Sequence, residues 1–171
     1  MLVKQISKNK FELALRVAKK AANTCLDTSV SDCDVCFMVG GDVAYGMAHL
    51  EPRSESSTGE YVNGSDLDIV VVYKGLSSET VLKLDDAIYQ QKYFLLSNPG
   101  HKEEIDYVIK DIPKIKKQLE FSDFQSMIAC KVLDESLFLF GNEKIFLQVK
   151  AMLKESNVPQ RLKAMYETAS V

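Results

Sequence analysis

Five consecutive residues, IVVVY at positions 69–73, constrain this chain more than any other stretch. β-Branched side chains favour extended backbone, and successive residues of a strand point to opposite faces, so an unbroken apolar run needs cover on both sides. The run predicts an interior strand packed between helices. Charge enters at its start, where the chain reads GSDLDIVVVY from Gly64 and places Asp66 and Asp68 just ahead of the apolar residues. Residues two apart on a strand share a face at a spacing of about 6.6–6.8 Å. The two carboxylates therefore project together while Leu67 and Ile69 turn the other way. They repel one another, and partial burial raises the cost of ionising both. A shared proton, a nearby Arg or Lys, or a divalent cation would compensate. Oxygen ligands without Cys or His beside them suit Mg²⁺ or Mn²⁺.

The rest of the chain alternates helical and extended patterns. Phe11, Ala14, Leu15, Ala18 and Ala22 recur at helical spacing and predict an amphipathic helix over residues 7–23, with Lys10, Arg16, Lys19 and Lys20 outside. A strand over 34–39 ends at Gly40-Gly41, and a short helix starts over 42–48. Residues 49–64 are polar and contain Pro52, Gly59 and Gly64, which reads as a long loop. Ser78 can cap a helix with Val81, Leu84 and Ile88 on its core side. A further strand covers 105–109, Pro113 opens a short helix, and Ser122 with Gln125 resembles a capping box. A short strand ends at Gly141-Asn142. The helix from 143 buries Ile145, Phe146, Val149, Met152 and Leu153, and Pro159 separates it from a tail helix. The expected class is α/β in the α+β sense, a small mixed sheet flanked by helices. At 171 residues the chain has room for one domain with a real core, spanning 1–171, with an inserted loop at about 49–64 and a helical segment from about 113.

Composition narrows the partners. A formal charge of −3 opposes tight, sequence-independent grip on a long nucleic acid, since that affinity comes from Lys and Arg on phosphates. The basic stretch KDIPKIKKQ from Lys110 reads as a solvated helix face. No apolar run approaches the roughly 20 residues of a membrane span, and charges interrupt the apolar residues of the first twenty, unlike a secretory signal. The expectation is a soluble, cytoplasmic protein with no membrane partner. Of the four cysteines, Cys33 and Cys36 form a Cys-x-x-Cys pair in or beside a strand, where such residues point to opposite faces. No second pair follows, and His49 and His101 stand alone, so buried thiols in a reducing compartment fit better than zinc.

A third acidic candidate is Asp106 in EEIDYVIKD, flanked by the apolar anchors Ile105 and Tyr107. If the strands bearing Asp68 and Asp106 are neighbours, about 4.8 Å apart, three carboxylates converge on one patch. That suffices for a two-metal site of phosphoryl or nucleotidyl transfer. Glu103 and Glu104 are the nearby alternatives, without flanking anchors of that kind.

Taken in order, FMVGGDVAYG, GSDLDIVVV and EIDYVI resemble the DNA polymerase beta-type nucleotidyltransferase superfamily. KVLDESLFLFGNEKIFLQVKAML is similar to the end of minimal bacterial domains of that superfamily. The resemblance implies a nucleotidyltransferase fold in which Asp66 and Asp68 bind both metals. Asp106 would bind the one nearer the acceptor and serve as its base. Gly40 and Gly41 would form the turn against the triphosphate, with N–H groups of Gly41 and Asp42 near phosphate oxygens. Ser65 offers a hydroxyl for the nucleotide or for a turn, and Arg53 a phosphate contact or a solvated loop charge. The chain departs from the family in reading Gly-Gly where Gly-Ser is usual, with Asp42 next, and in the length of the connection to Asp66. The implied activity moves a nucleoside monophosphate, AMP, from a nucleoside triphosphate, ATP, to a hydroxyl of a protein or small molecule, with Mg²⁺ or Mn²⁺. The alternative is an antitoxin-like binding module that keeps the fold and acts through a protein partner. A homo-oligomer is a further source of acceptor surface.

Overall fold

The computed structural model describes residues 1–25 and 34–170, so Cys33, and with it the Cys33–Cys36 pairing, lies outside the described residues. The order is α1 (Leu2–Cys25), β1 (Val35–Val39), α2 (Gly41–Ala44), β2 (Pro52–Ser54), β3 (Tyr61–Asn63), β4 (Leu67–Tyr73), α3 (Ser78–Ser97), β5 (Ile105–Asp111), α4 (Ile112–Gln118), α5 (Phe124–Glu135), β6 (Leu137–Gly141), α6 (Glu143–Glu155) and α7 (Val158–Ala169). Four strands form a mixed sheet in the order β5-β4-β1-β6. β1 runs antiparallel to β4 and β6, and β4 runs parallel to β5. The α+β class expected from the sequence is the class found.

β4 lies inside the sheet, and its apolar run is buried on both faces. Leu67, Ile69 and Val71 join Phe37 and Val39 in one apolar layer, covered by Ala14 and Ala18 of α1 and Leu84 and Ile88 of α3. Val70 and Val72 join Cys36 and Met38 in the other, covered by Ile115, Leu133, Val149 and Leu153 of the later helices. α3 is the crossover that a parallel β4/β5 pair requires, because two parallel strands cannot be joined by a tight turn. No helix among the described residues is long and apolar enough to cross a membrane.

Several local expectations give way to better partners. The cap of α3 is Ser77, whose hydroxyl accepts the N–H of Thr80 at 3.2 Å, rather than Ser78. The cap of α5 is Asp123 rather than Ser122. Its carboxylate accepts the N–H of Ser126 at 2.7 Å, and a negative charge at a helix start gains additionally from the helix dipole. The helix expected over 42–48 is one turn, Gly41–Ala44, followed by Gly46 in the left-handed region at φ +67°.

Residues 49–64 are not a structureless loop. They contain the antiparallel hairpin β2/β3, with Arg53 paired to Val62. At its tip the Glu55 carboxylate accepts the N–H groups of Ser57 and Thr58 at 2.9 and 2.7 Å and both their hydroxyls, closing the turn with side chain instead of apolar packing. Lys10, expected outside, is 3% exposed. Its Nζ donates to Asn63 O at 2.8 Å and to Glu103 Oε2 at 2.6 Å, tying α1 to the segment that leads into β4. The basic stretch at 110–118 is mostly the expected solvated face, but Lys110 is buried on β5 and donates to Gln118 Oε1 at 2.8 Å.

Candidate metal centre

The parallel pairing of β4 with β5 sets Asp68 directly opposite Asp106. Asp66 precedes β4 by one residue and shares the face of Asp68. One carboxylate oxygen from each of Asp66, Asp68 and Asp106 lies within 4.8 Å of the others. Asp66 and Asp68 are half-buried and Asp106 is exposed, so the cluster opens to solvent on the β5 side.

The flanking apolar residues fix this arrangement. Leu67 and Ile105, themselves register partners, are fully buried on the opposite face, and a one-residue slip of either strand would carry its aspartate to the wrong side. The end of β1 closes the site from a third direction. Gly40 donates its N–H to Asp68 O at 2.8 Å. Gly41 adopts φ +62°, and a Cβ built on it would meet Asp68 Oδ2 at 2.1 Å. The Asp68 carboxylate thus occupies the space of a side chain at position 41. That contact accounts for glycine where the resembled family carries serine.

Negative charge is concentrated without a positive partner. Burial first, then the charges of Asp66, Asp106 and Asp42, push the Asp68 carboxyl up to about 7. Two cations of the flanking segments are committed elsewhere. Arg53 ion-pairs with Glu104 and its Nε donates to Gly64 O at 2.8 Å, while Lys10 holds Glu103. Burial nevertheless holds the Glu103 carboxyl above its ordinary range, with Lys10 drawing it back down. The two glutamates weighed as third ligand are therefore ion-pair partners. Arg53 is neither a solvated loop charge nor a free phosphate contact, because it fastens the hairpin base to Glu104 and Gly64. None of the described ion pairs involves Asp66, Asp68 or Asp106.

Ser65 is buried, and its hydroxyl is occupied at both ends, accepting the N–H of His49 at 3.1 Å and donating to Asp42 Oδ2 at 2.9 Å. It thereby holds Asp42, a fourth carboxylate, against the approach to the cluster. Val132 of α5 is a neighbour the sequence did not mark. With Val70 and Val108 it lines an apolar cleft of about 160 Å³ that opens onto Asp68 and Asp106.

The donor set suits a hard divalent cation: carboxylate oxygens only, converging, with one carboxyl whose ionisation is opposed by burial and by its acidic neighbours. No known family model matches the chain, and no curated protein matches it.

Proposed function

We propose that the chain is a metal-dependent nucleotidyltransferase with a polymerase beta-like fold, which moves AMP from ATP to a hydroxyl of a protein or small molecule. The observation that carries this reading is the register pairing of Asp68 with Asp106, with Asp66 on the same face and Gly40-Gly41 packed against Asp68. Asp66, Asp68 and Asp106 would hold Mg²⁺ or Mn²⁺, which would neutralise charge on the triphosphate and make the attacking hydroxyl more acidic.

The chain's own groups divide the remaining work. Gly41 and Asp42 stand in the first turn of α2, where N–H groups lack intrahelical acceptors and are available to phosphate oxygens. Asp106, the exposed member, receives the proton of the acceptor hydroxyl. The acceptor oxygen bonds to the α-phosphorus as the bond from that atom to the bridging oxygen breaks, and pyrophosphate leaves with the electron pair. Preorganised charge supplies most of the rate for such a step.

The test is calorimetric titration with a non-hydrolysable ATP analogue, with and without Mg²⁺, on wild type and on Asp66→Asn and Asp68→Asn. Metal-dependent binding lost in both variants supports the reading, and binding that ignores both substitutions removes it. A second reading, an antitoxin-like module without catalysis, is favoured by Gly41, which has no hydroxyl for the triphosphate, and by the negative charge of Asp42 beside it. No nucleotide binding together with stable co-purification of a protein partner would select that second reading.

A further inference from the structure

β5 is an outer strand, and among the described residues no strand pairs with its far side. Glu104 O accepts the N–H of Leu67 at 2.8 Å, which turns the backbone groups of residues 104, 106, 108 and 110 toward β4. Those of Ile105, Tyr107 and Ile109 therefore face outward. The opposite edge is blunted: β6 has 5 residues and meets β1 through a register shift at Phe37/Met38, and Lys19 lies 5.8 Å above its Phe140 ring. β5 has 7 residues, no proline, and an unbroken register with β4. Such an edge is a template for one more strand.

Clefts flank that edge on both faces. On the carboxylate face, Val108, 44% exposed, borders with Val132 the apolar cleft that opens onto Asp68 and Asp106. Toward α3, Val81, Leu82 and Asp85 border a shallow cleft of about 430 Å³ with Tyr107, Val108 and Ile109, and Leu82 is 69% exposed. The two clefts share Tyr107 and Val108 and lie to either side of the edge, where successive side chains of an added extended segment would fall.

We infer that the hydroxyl acceptor is carried by an extended polypeptide segment that adds to β5 as a fifth strand of this sheet, an inference that rests on the nucleotidyl-transfer reading above. A strand laid about 4.8 Å from β5 sets the side chain opposite Asp106 on the face of Asp106. A Ser or Thr there brings its hydroxyl beside the carboxylate that takes its proton. The residue two positions away lies opposite Val108 in the apolar cleft, and the residue between falls on the Leu82 side. The substrate class is a strand-forming segment with Ser or Thr flanked two residues away by aliphatic side chains. Its hydroxyl oxygen gains the bond to the α-phosphorus, its proton passes to Asp106, and pyrophosphate departs with the broken bond's electron pair.

The experiment uses capped heptapeptides with a central Ser, apolar residues at the four positions around it and Lys at both ends. They are titrated into the isotopically labelled protein without nucleotide and followed by amide NMR. Binding with shifts and slowed exchange at Tyr107 and Ile109 is expected. It should weaken at least tenfold with Ile109→Pro, which removes one outward N–H on an edge where proline is tolerated and leaves the β4 pairing intact. Leu82→Arg, on an exposed helix position, should weaken it similarly without touching the sheet. N-methylation of alternate peptide amides should abolish binding in one phase and spare it in the other. No binding, binding indifferent to both variants, or no dependence on methylation phase overturns the inference, as does a dimer of this chain that Ile109→Pro dissociates. Transfer from ATP labelled at the α-phosphate is measured in parallel. Peptide docking without Mg-ATP binding would defeat the transfer reading and leave the strand site standing. Mg-ATP binding without peptide docking would do the reverse.

Discussion

Replacing Asp68 by Asn should stabilise the metal-free protein and at the same time abolish its response to Mg²⁺. The ordinary carboxyl value of 3.8 is raised to about 7 in the folded chain, by burial and by three neighbouring carboxylates. A carboxyl raised on folding contributes stability that is complete below its unfolded value and lost as pH climbs through its folded value. Without metal, wild type is therefore penalised above pH 7 relative to pH 4. A full rise of that size corresponds to roughly 4 kcal/mol, and because the carboxyl is partly exposed, solvent screening reduces this to about 1–2 kcal/mol. For a chain of this length that is about 2–8 °C in Tm. Asn keeps the shape, carries no charge, and can donate to the carboxylates beside it. Thermal melts followed by circular dichroism in EDTA should give Asp68→Asn a higher Tm than wild type at pH 8 and a similar one at pH 4. Adding Mg²⁺ should raise wild type and leave the variant unmoved. A variant that melts at or below wild type at pH 8, or that keeps the full Mg²⁺ response, would refute the account of the cluster as uncompensated charge.

Gly41→Ser, although it restores the serine of the resembled family, should diminish Mg²⁺-dependent stabilisation, since its Cβ would meet Asp68 Oδ2 and its φ of +62° costs about 1 kcal/mol for an L-residue; an unchanged Mg²⁺ response in a melt would contradict this. Lys10→Met leaves Glu103 buried without its cation and should cost about 3–5 kcal/mol at pH 8, read as a lower urea midpoint, with the loss shrinking as pH is lowered, since burial already raises the Glu103 carboxyl. Lys110→Met should act in the opposite sense. Burial lowers Lys110 to about 8, so its charge is a penalty that is full at pH 7, fades as pH rises through the folded value, and is gone above the unfolded value of 10.5. A gain of about 1–3 kcal/mol at pH 7 that shrinks by pH 10 is expected in the same unfolding assay.

The sequence and the structure agree most closely where burial has a period. The run at 69–73 writes its strand directly, because a strand covered on both faces tolerates few other residues, while the apolar flanks of Asp106 mark β5 by alternation, one face buried and the other open. The joining of Asp68 to Asp106 was legible only as a condition on strand order, since nothing local encodes which strands are neighbours. Three kinds of feature escaped. The hairpin's strands, Pro52–Ser54 and Tyr61–Asn63, are too short and polar to show an alternation, and side-chain hydrogen bonds from Glu55 hold the turn in place of a core. Lys10 carries the look of a solvated lysine because its partner Glu103 is 93 residues away, and Arg53 finds Glu104 at a separation of 51. The caps shifted by one residue, from Ser78 to Ser77 and from Ser122 to Asp123, where two adjacent polar side chains are both eligible to cap.

The alignment of β4 with β5 also makes the cluster a gauge of folding. Its two halves are separated in the chain by the whole crossover helix, and no oxygen of Asp106 can approach Asp68 until that long loop has closed. A sheet closed one residue out of step would leave Asp106 facing α3, with only two acids on the correct side. A cation that needs all three would bind neither the open chain nor the misaligned one. At one hundred times its dissociation constant it would favour the correct alignment by about 2.7 kcal/mol over both. An ion of this kind would then act twice, once on the reaction and once earlier, as a proofreader of strand alignment while the protein is still being assembled.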